Sequence, residues 1–489
     1  MKIIARKKEI GELERLYTSN RSEFIIVYGR RRIGKTFLIN NLFGDRFTFS
    51  FVGTRNQPPK VQLKRFANQL KEASGSIFAP ILNSWEDAFN ELRQLIDSKP
   101  RDERKIIFFD EMPWIDTPRS SFIDALEYFW NAWAAQRNDI MFIACGSATS
   151  WMVNKLIKNQ GGLHNRITAQ IYLRPFTLGE CEELLHANGC LWDRYTTTQC
   201  YMTFGGVPFY LNLMNPQESL SQNIDRLFFS KNARMREEFE ELFNALFPNA
   251  ENYISVIRAL AERKEGMMRS EIIESTKISG GALSKILENL ERCDFIDVYS
   301  KFKSAIRNSL YRISDPYILF YFKFINGNHS KDENFWSHNI NSQHVRAWEG
   351  FSFETICRLH LAQIKQKLGI IGISTNTCSW RKIGDRTQQG AQIDLLIDRV
   401  DRIINVCEIK FSEMPYTITK DYEEKLRMKM AIFRQESKST KALSLTMITT
   451  YGVLPGIHSG IVQNEVVMDD LFANVNSSGG SRLDGCKKN

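Results

Sequence analysis

Gly29-Arg30-Arg31-Arg32-Ile33-Gly34-Lys35-Thr36 is the stretch on which the reading of this chain turns. It matches G-x-x-x-x-G-K-[ST], and its setting matters as much as the match. The apolar run Phe24-Ile25-Ile26-Val27-Tyr28 precedes it, and the helical pattern Phe37-Leu38-Ile39 follows. A glycine-rich turn between a buried strand and a helix can wrap backbone N–H groups around phosphate oxygens. The helix N-terminus adds partial positive charge. Lys35 is then placed to reach the β- and γ-phosphates of ATP, and the Thr36 hydroxyl to bind Mg²⁺. Arg30, Arg31 and Arg32 raise the local positive potential, and the whole span from Gly29 to Thr36, Ile33 and Gly34 included, forms the nucleotide-binding loop.

The expected second half is Ile106-Ile107-Phe108-Phe109-Asp110-Glu111. Asp110 at a strand end can hold the Mg²⁺ hydration shell, and Glu111 beside it can polarise the attacking water. Cys145-Gly146-Ser147 ends a further strand. Ser147, ahead of Thr149, can sense the γ-phosphate; a helix cap is the alternative. Arg166 precedes the strand-like stretch from Gln170 to Leu173 and reads either as an arginine finger or as a surface arginine. Strand patterns at 47–52, 106–109 and 140–144 alternate with helical patterns at 88–96 and 122–134, so an α/β fold with a parallel sheet covered on both faces is expected.

With 489 residues the chain is too long for one hydrophobic core. Five regions are expected: a P-loop core at 1–175, a helical lid at 176–248, a winged helix at 249–330, a further α/β domain at 340–472 and a disordered tail at 473–489. Hydrophobic residues at 43% and charged residues at 25% exclude global disorder and collagen-like repeats. No apolar run is long enough to span a bilayer. Charged residues fill the N-terminus, MKIIARKKEI, where a signal peptide needs its apolar core, so a cytoplasmic protein without membrane partners is expected. Nine cysteines without a C-x-x-C pair argue against zinc and disulfide scaffolds, with Cys486 in the polar tail the exposed one. The net charge of +9 is compatible with DNA as a partner.

Leu283, Ile286, Leu287 and Leu290 recur at helical spacing after the turn Ser279-Gly280-Gly281. Residues 294–300 and 310–313 can pair as a wing. The helix would expose Ser284, Lys285, Asn289 and Arg292, but also Glu288 and Glu291, and the wing offers Lys301, Lys303 and Arg307. Groove reading and a packing role between the ATPase and the C-terminus both stand. Farther on, Asp394 opens an apolar strand, and Glu408 and Lys410 alternate on the next, so their side chains share a face. Charges on otherwise apolar strands are costly without a task. A helix over 353–367 brings Glu354.

The segments GRRRIGKT, FFDEMPW, CGSATSW, LRPFTLGE and FGGVPFYL are together similar to the archaeal-type P-loop ATPases of the STAND class, within the AAA+ superfamily. The resemblance implies ATP hydrolysis, a winged helix used as a rigid spacer, and a lid whose Gly205-Gly206-Val207-Pro208 lies near the nucleotide; a structural turn is the alternative for that segment. The set Glu354, Asp394, Glu408 and Lys410 resembles the PD-(D/E)XK nuclease fold and the C-terminal domain of unknown function that accompanies this ATPase family. By that resemblance Asp394 and Glu408 hold Mg²⁺, Glu354 completes the metal shell, and Lys410 positions or activates a water near the scissile phosphate. Gln392-Ile393-Asp394 stands where the family has Pro-Asp. A nuclease-like fold without activity is the alternative. The expected function is ATP binding and hydrolysis coupled to a nuclease-like, DNA-associated domain, in a protein able to form homo-oligomers. The competing reading is a nucleotide-gated regulator that binds DNA or a protein partner and cuts nothing.

Overall fold

In the computed structural model, which describes residues 3–158, 161–163, 165–303, 309–384 and 390–475, helix α1 (Lys7–Tyr17) leads into β1 (Glu23–Tyr28). Helix α2 (Lys35–Phe43) starts inside the glycine-rich loop. Then come β2 (Phe47–Val52), α3 (Pro59–Ser74), α4 (Trp85–Asp97), β3 (Lys105–Asp110), α5 (Phe122–Ala132), β4 (Ile140–Gly146) and β5 (Ala169–Tyr172). Local chemistry sets the boundaries. Ser84 and Asp87 form a reciprocal capping box that starts α4, and Trp85, Ala88, Phe89, Leu92, Leu95 and Ile96 give it one buried face.

The five strands pair in parallel in the order β2-β3-β4-β1-β5. Both faces are covered. Phe49, Phe66, Trp85, Phe109 and Phe142 pack on one side, and Leu13, Leu38, Phe43, Ile25 and Ile143 on the other. Strand β4 lies between β1 and β3, so the ends of these three strands bring Gly29, Ser147 and Asp110–Glu111 to one edge.

Helices α6 (Leu178–Ala187), α7 (Arg194–Phe204) and α8 (Arg234–Leu246) follow. Gly206 packs against the chain just before α6: a Cβ there would lie 2.0 Å from the Phe176 carbonyl oxygen. Phe176 N–H also donates to the Gly206 carbonyl at 2.6 Å, which gives the Gly205–Pro208 segment a packing role. Residues 250–313 hold α9 (Ala250–Ala261), β6 (Met267–Met268), α10 (Arg269–Thr276), α11 (Gly280–Arg292), β7 (Ile296–Tyr299) and β8 (Leu310–Ile313), with an antiparallel sheet in the order β6-β8-β7. Two residues depart from expectation. Asn289 is buried, where its amide donates to the Tyr253 hydroxyl at 2.7 Å, and Arg292 is half-buried, donating to Asn154 Oδ1 at 3.0 Å. Arg307 lies outside the described residues.

The short helix α12 (Pro316–Phe320) leads to α13 (Gln343–Leu359) and α14 (Leu361–Lys367). The single helix expected over 353–367 is therefore two, broken at His360. The buried His360 ring accepts the Leu178 N–H at Nε2 (2.9 Å), which leaves Nδ1–H to donate to the Ile356 carbonyl at 2.9 Å. Burial lowers the imidazole to about 4, so it is neutral at physiological pH. The remaining elements are β9 (Thr375–Lys382), β10 (Ala391–Arg399), β11 (Ile403–Lys410), α15 (Lys420–Ser437), β12 (Ala442–Thr449) and β13 (Asn464–Val467). β9, β10 and β11 form an antiparallel meander, β12 adds in parallel to β11, and the sheet order is β13-β12-β11-β10-β9.

One apolar cluster runs from Phe176 through Leu283, Trp348 and Ile409 to Phe472, so the expected divisions at 248 and 340 fall inside a continuous core. All eight described cysteines are free and buried; Cys486 and the tail from 476 lie outside the described residues. Among the described residues no helix is long and apolar enough to cross a membrane.

Candidate nucleotide site and carboxylate centre

The P-loop backbone is shaped by close approach. Gly29 has φ +148, and a Cβ there would sit 2.4 Å from the Leu173 carbonyl oxygen at the end of β5. Lys35 is buried and donates to the Gly29 and Arg30 carbonyls, both at 2.9 Å, so it curls over the loop and keeps one of its three N–H donors for another acceptor. The Thr36 hydroxyl donates to Asp110 Oδ2 at 2.7 Å. That pairing sets a hydroxyl and a carboxylate side by side, a donor set that suits Mg²⁺.

Glu111 is held on both sides. Its backbone adopts a left-handed conformation at φ 44, and its N–H donates to Asp110 Oδ1 at 2.9 Å. Its carboxylate accepts the Ser147 hydroxyl at 2.8 Å and the Ser147 N–H at 3.3 Å. Ser147 is buried at the end of β4 and orients Glu111. Arg166 is exposed in the loop before β5, with its N–H on the Leu163 carbonyl at 3.0 Å.

The three loop arginines have separate fates. Arg30 is fully buried, ion-paired with Asp315 and stacked 4.8 Å from the Phe295 ring centre. Arg32 pairs with Glu238 of α8 and lies over Phe209 at 4.4 Å. Arg31 has no ion pair among the described residues. The contribution of Arg30 and Arg32 to the loop is thus main-chain N–H groups, while their side chains tie it to later parts of the chain. Arg6, which no motif marks, donates to the carbonyls of Ile33 (3.3 Å) and Arg174 (2.7 Å), bracing the loop from the other side.

In the C-terminal sheet, β10 and β11 pair Leu395 with Cys407, one residue from Asp394 and Glu408. Glu408 is well partnered. It accepts Lys410 Nζ at 2.9 Å, Lys429 Nζ at 2.6 Å and the Tyr422 hydroxyl at 2.6 Å. Burial alone would raise its carboxyl, but the two ammonium groups and the hydrogen bonds outweigh that and hold it at about 2. Glu354 behaves oppositely: burial, then repulsion from Asp394, pushes it up to about 7. Asp394 accepts the Gln392 amide at 2.7 Å. The sequence-predicted set is thus gathered, but in two halves: a Glu354–Asp394 pair that Arg312, Arg358 and Lys410 act on without an ion pair among the described residues, and a Glu408 saturated by cations. Among the described residues no three carboxylates, histidines or cysteines form a ready metal cluster. A metal here would sit on Glu354 and Asp394 and would draw Glu408 from its lysines. Lys429 and Tyr422, both on α15, were missed because no spacing links them to Glu408.

Residues 3–214 match a family model described as an ATPase domain predominantly from Archaea. The amino-terminal part of the chain is accordingly an archaeal-type ATPase domain, built on a P-loop and a five-stranded parallel sheet. Nearly the whole chain is similar to an uncharacterised protein of Methanocaldococcus jannaschii, 23% identical over 459 residues that cover 93% of this chain and 95% of that one. Among solved structures, a Walker-type ATPase of Pyrococcus abyssi is 18% identical with a TM-score of 0.48, covering 66% of this chain and 96% of its own. The Aeropyrum pernix ORC2 protein, solved with ADPNP and ADP, is 14% identical with a TM-score of 0.41, covering 66% and 93%.

Proposed function

We propose that this chain binds and hydrolyses ATP and couples the nucleotide to a nuclease-like C-terminal domain that acts on DNA. The observation that carries the first half is the edge where Lys35, Thr36, Asp110, Glu111 and Ser147 meet. Lys35 binds the β- and γ-phosphates, the residues from Gly29 to Thr36 offer backbone N–H groups, and Thr36 with Asp110 holds the Mg²⁺ site. Mg²⁺, when bound, supplies neutralising charge on the phosphate oxygens. Glu111, fixed by Ser147, takes the proton of the attacking water. Arg166, exposed on its loop, is offered to a second copy of the chain as an arginine finger.

The second half rests on the order of elements from α13 through β9, β10, β11, α15 and β12, with Glu354 on the helix, Asp394 on β10, and Glu408 and Lys410 on β11. This helix–meander–helix–strand order supports the PD-(D/E)XK reading. The region from 250 to 313 is read as a winged helix that links the two. The saturation of Glu408 by Lys410, Lys429 and Tyr422 favours a second reading, a nucleotide-gated regulator that holds DNA or a protein without cutting. Plasmid DNA incubated with the protein, with and without ATP and Mg²⁺ or Mn²⁺, separates them. Metal-dependent nicking that disappears in Asp394→Ala supports the first, and binding without nicking supports the second.

A further inference from the structure

The hairpin of β7 and β8 is seated on the C-terminal domain. Phe302 N–H donates to the Ser379 carbonyl of β9 at 3.0 Å, and the Phe302 ring meets Phe433 of α15 at 5.2 Å. Lys303 Nζ donates to the Ser437 carbonyl at 3.0 Å, and Arg381 of β9 pairs with Glu265. This seat carries Arg312 of β8 to the carboxylate centre. Arg312 is 7% exposed and stacks over Tyr299 of β7 at 4.6 Å, which fixes its plane. Glu354 and Asp394 act electrostatically both on Arg312 and on Arg358, one turn beyond Glu354 on α13. Yet neither arginine forms an ion pair with either carboxylate, and Nε of both is buried without a hydrogen-bond partner among the described residues.

Buried N–H groups without partners are rare and call for a ligand or water. The charge balance says which ligand. The buried and half-buried groups of the centre are three carboxylates (Glu354, Asp394, Glu408) and four cations (Arg312, Arg358, Lys410, Lys429); Asp297, which also faces Arg312, is exposed on β7. A centre that is net positive before any divalent cation enters is suited to an anion with several oxygen acceptors. A guanidinium fork matches a phosphate in charge and geometry.

We infer that Arg312, together with Arg358, is a phosphate-contacting residue of the C-terminal centre, donated across the boundary from the β7–β8 hairpin, and that the ligand is a phosphodiester of duplex DNA. The inference rests on the nuclease-like reading of that domain. It makes the centre a composite one, complete only while the hairpin is docked.

The test uses the full chain and a fluorescent DNA duplex, with binding followed by anisotropy in Ca²⁺ and cleavage in Mg²⁺ or Mn²⁺. Arg312→Gln is expected to weaken binding about 10-fold or more and to lower the salt dependence by about one phosphate contact, with ATP turnover unchanged. Arg312→Lys, which keeps the charge but not the fork, should recover part of the affinity. Binding and cleavage in Arg312→Gln equal to wild type would overturn the inference. If that variant does not fold, Arg312→Lys decides, and wild-type behaviour there overturns it as well. Failure of the wild type to bind or cut, with Asp394→Asn no different, brings down the nuclease-like reading itself and the inference with it. An active wild type with an equally active Arg312→Gln brings down the inference alone.

Discussion

Lys35 is the residue whose loss is easiest to forecast. In the proposed site its buried ammonium group is the side-chain charge that meets the phosphates, and charge-assisted hydrogen bonds contribute about 1.5–3 kcal/mol each. Lys35→Ala should therefore weaken ATP binding by about 100-fold or more, measured by titration with a fluorescent ATP analogue; unchanged affinity would remove the P-loop assignment. Glu111→Gln should bind ATP normally and lose turnover by about 10²–10⁴-fold, since an amide cannot accept the water's proton. Phosphate release at wild-type rate in that variant would take Glu111 out of the mechanism. That Lys35, Thr36, Asp110 and Glu111 meet at one edge of the sheet was legible, because the motif sets its residues at fixed spacing next to strand ends. Arg6, Tyr422 and Lys429 were not. Each reaches its partner through the fold, 14 to 168 positions away, and no local spacing pattern marks such a pair.

At the scale of elements, the two halves of the carboxylate centre respond differently to pH. Glu354 is raised to about 7 in the folded protein, against about 4.5 for an ordinary glutamate. A raised carboxyl is a penalty for the folded state that is absent below the ordinary value. It grows between pH 4.5 and 7 and is complete above 7. Glu354→Gln should therefore raise the thermal midpoint at pH 8 and lose that advantage as the pH falls toward 5. An advantage equal at both pH values would show that Glu354 is not held protonated. Mn²⁺ seated on Glu354 and Asp394 should remove the penalty, and Asp394→Asn should lose Mn²⁺ binding in calorimetry on the full chain while ATP turnover persists. Persistent Mn²⁺ binding in that variant would place any metal elsewhere. The strands β10 and β11 were readable from their apolar runs. Strand β9, TNTCSWRK, is half-buried with polar residues on both faces and carries no clear alternation. The break at His360 was hidden because the local pattern continues through it, and only the distant Leu178 N–H accounts for the kink.

For the whole molecule, the decisive bond is the buried pair between Arg30 in the P-loop and Asp315 at the start of α12. Asp315 also caps that helix through the Ile318 N–H at 2.8 Å, a role asparagine can keep. Asp315→Asn leaves Arg30 buried and unpaired, which should destabilise the protein by about 3–5 kcal/mol. Arg30→Met with Asp315→Asn should recover much of the loss. Chemical denaturation of the three proteins tests this, and equal midpoints for wild type and Asp315→Asn would mean that the pair is inert. The division into an ATPase and later parts could be read from changes in residue pattern. The continuous core from Phe176 to Phe472 could not, because it is assembled from faces whose partners lie far along the chain.

The contact between Leu178 and His360 has a consequence for how the protein is made. The two residues are 182 positions apart. At roughly 5–20 residues per second of synthesis, helix α6 leaves the ribosome roughly 10–40 s before the imidazole that satisfies its first turn. Throughout that interval Leu178, Leu184 and Leu185 lack the later members of the apolar cluster that runs on to Phe472. A nascent chain arrested before residue 340 should be cleaved readily by added protease within 178–246, while its P-loop sheet resists. One arrested after 472 should resist throughout. The amino-terminal half is thus finished early, and the rest waits for the final strands, a delay that holdase chaperones are suited to bridge.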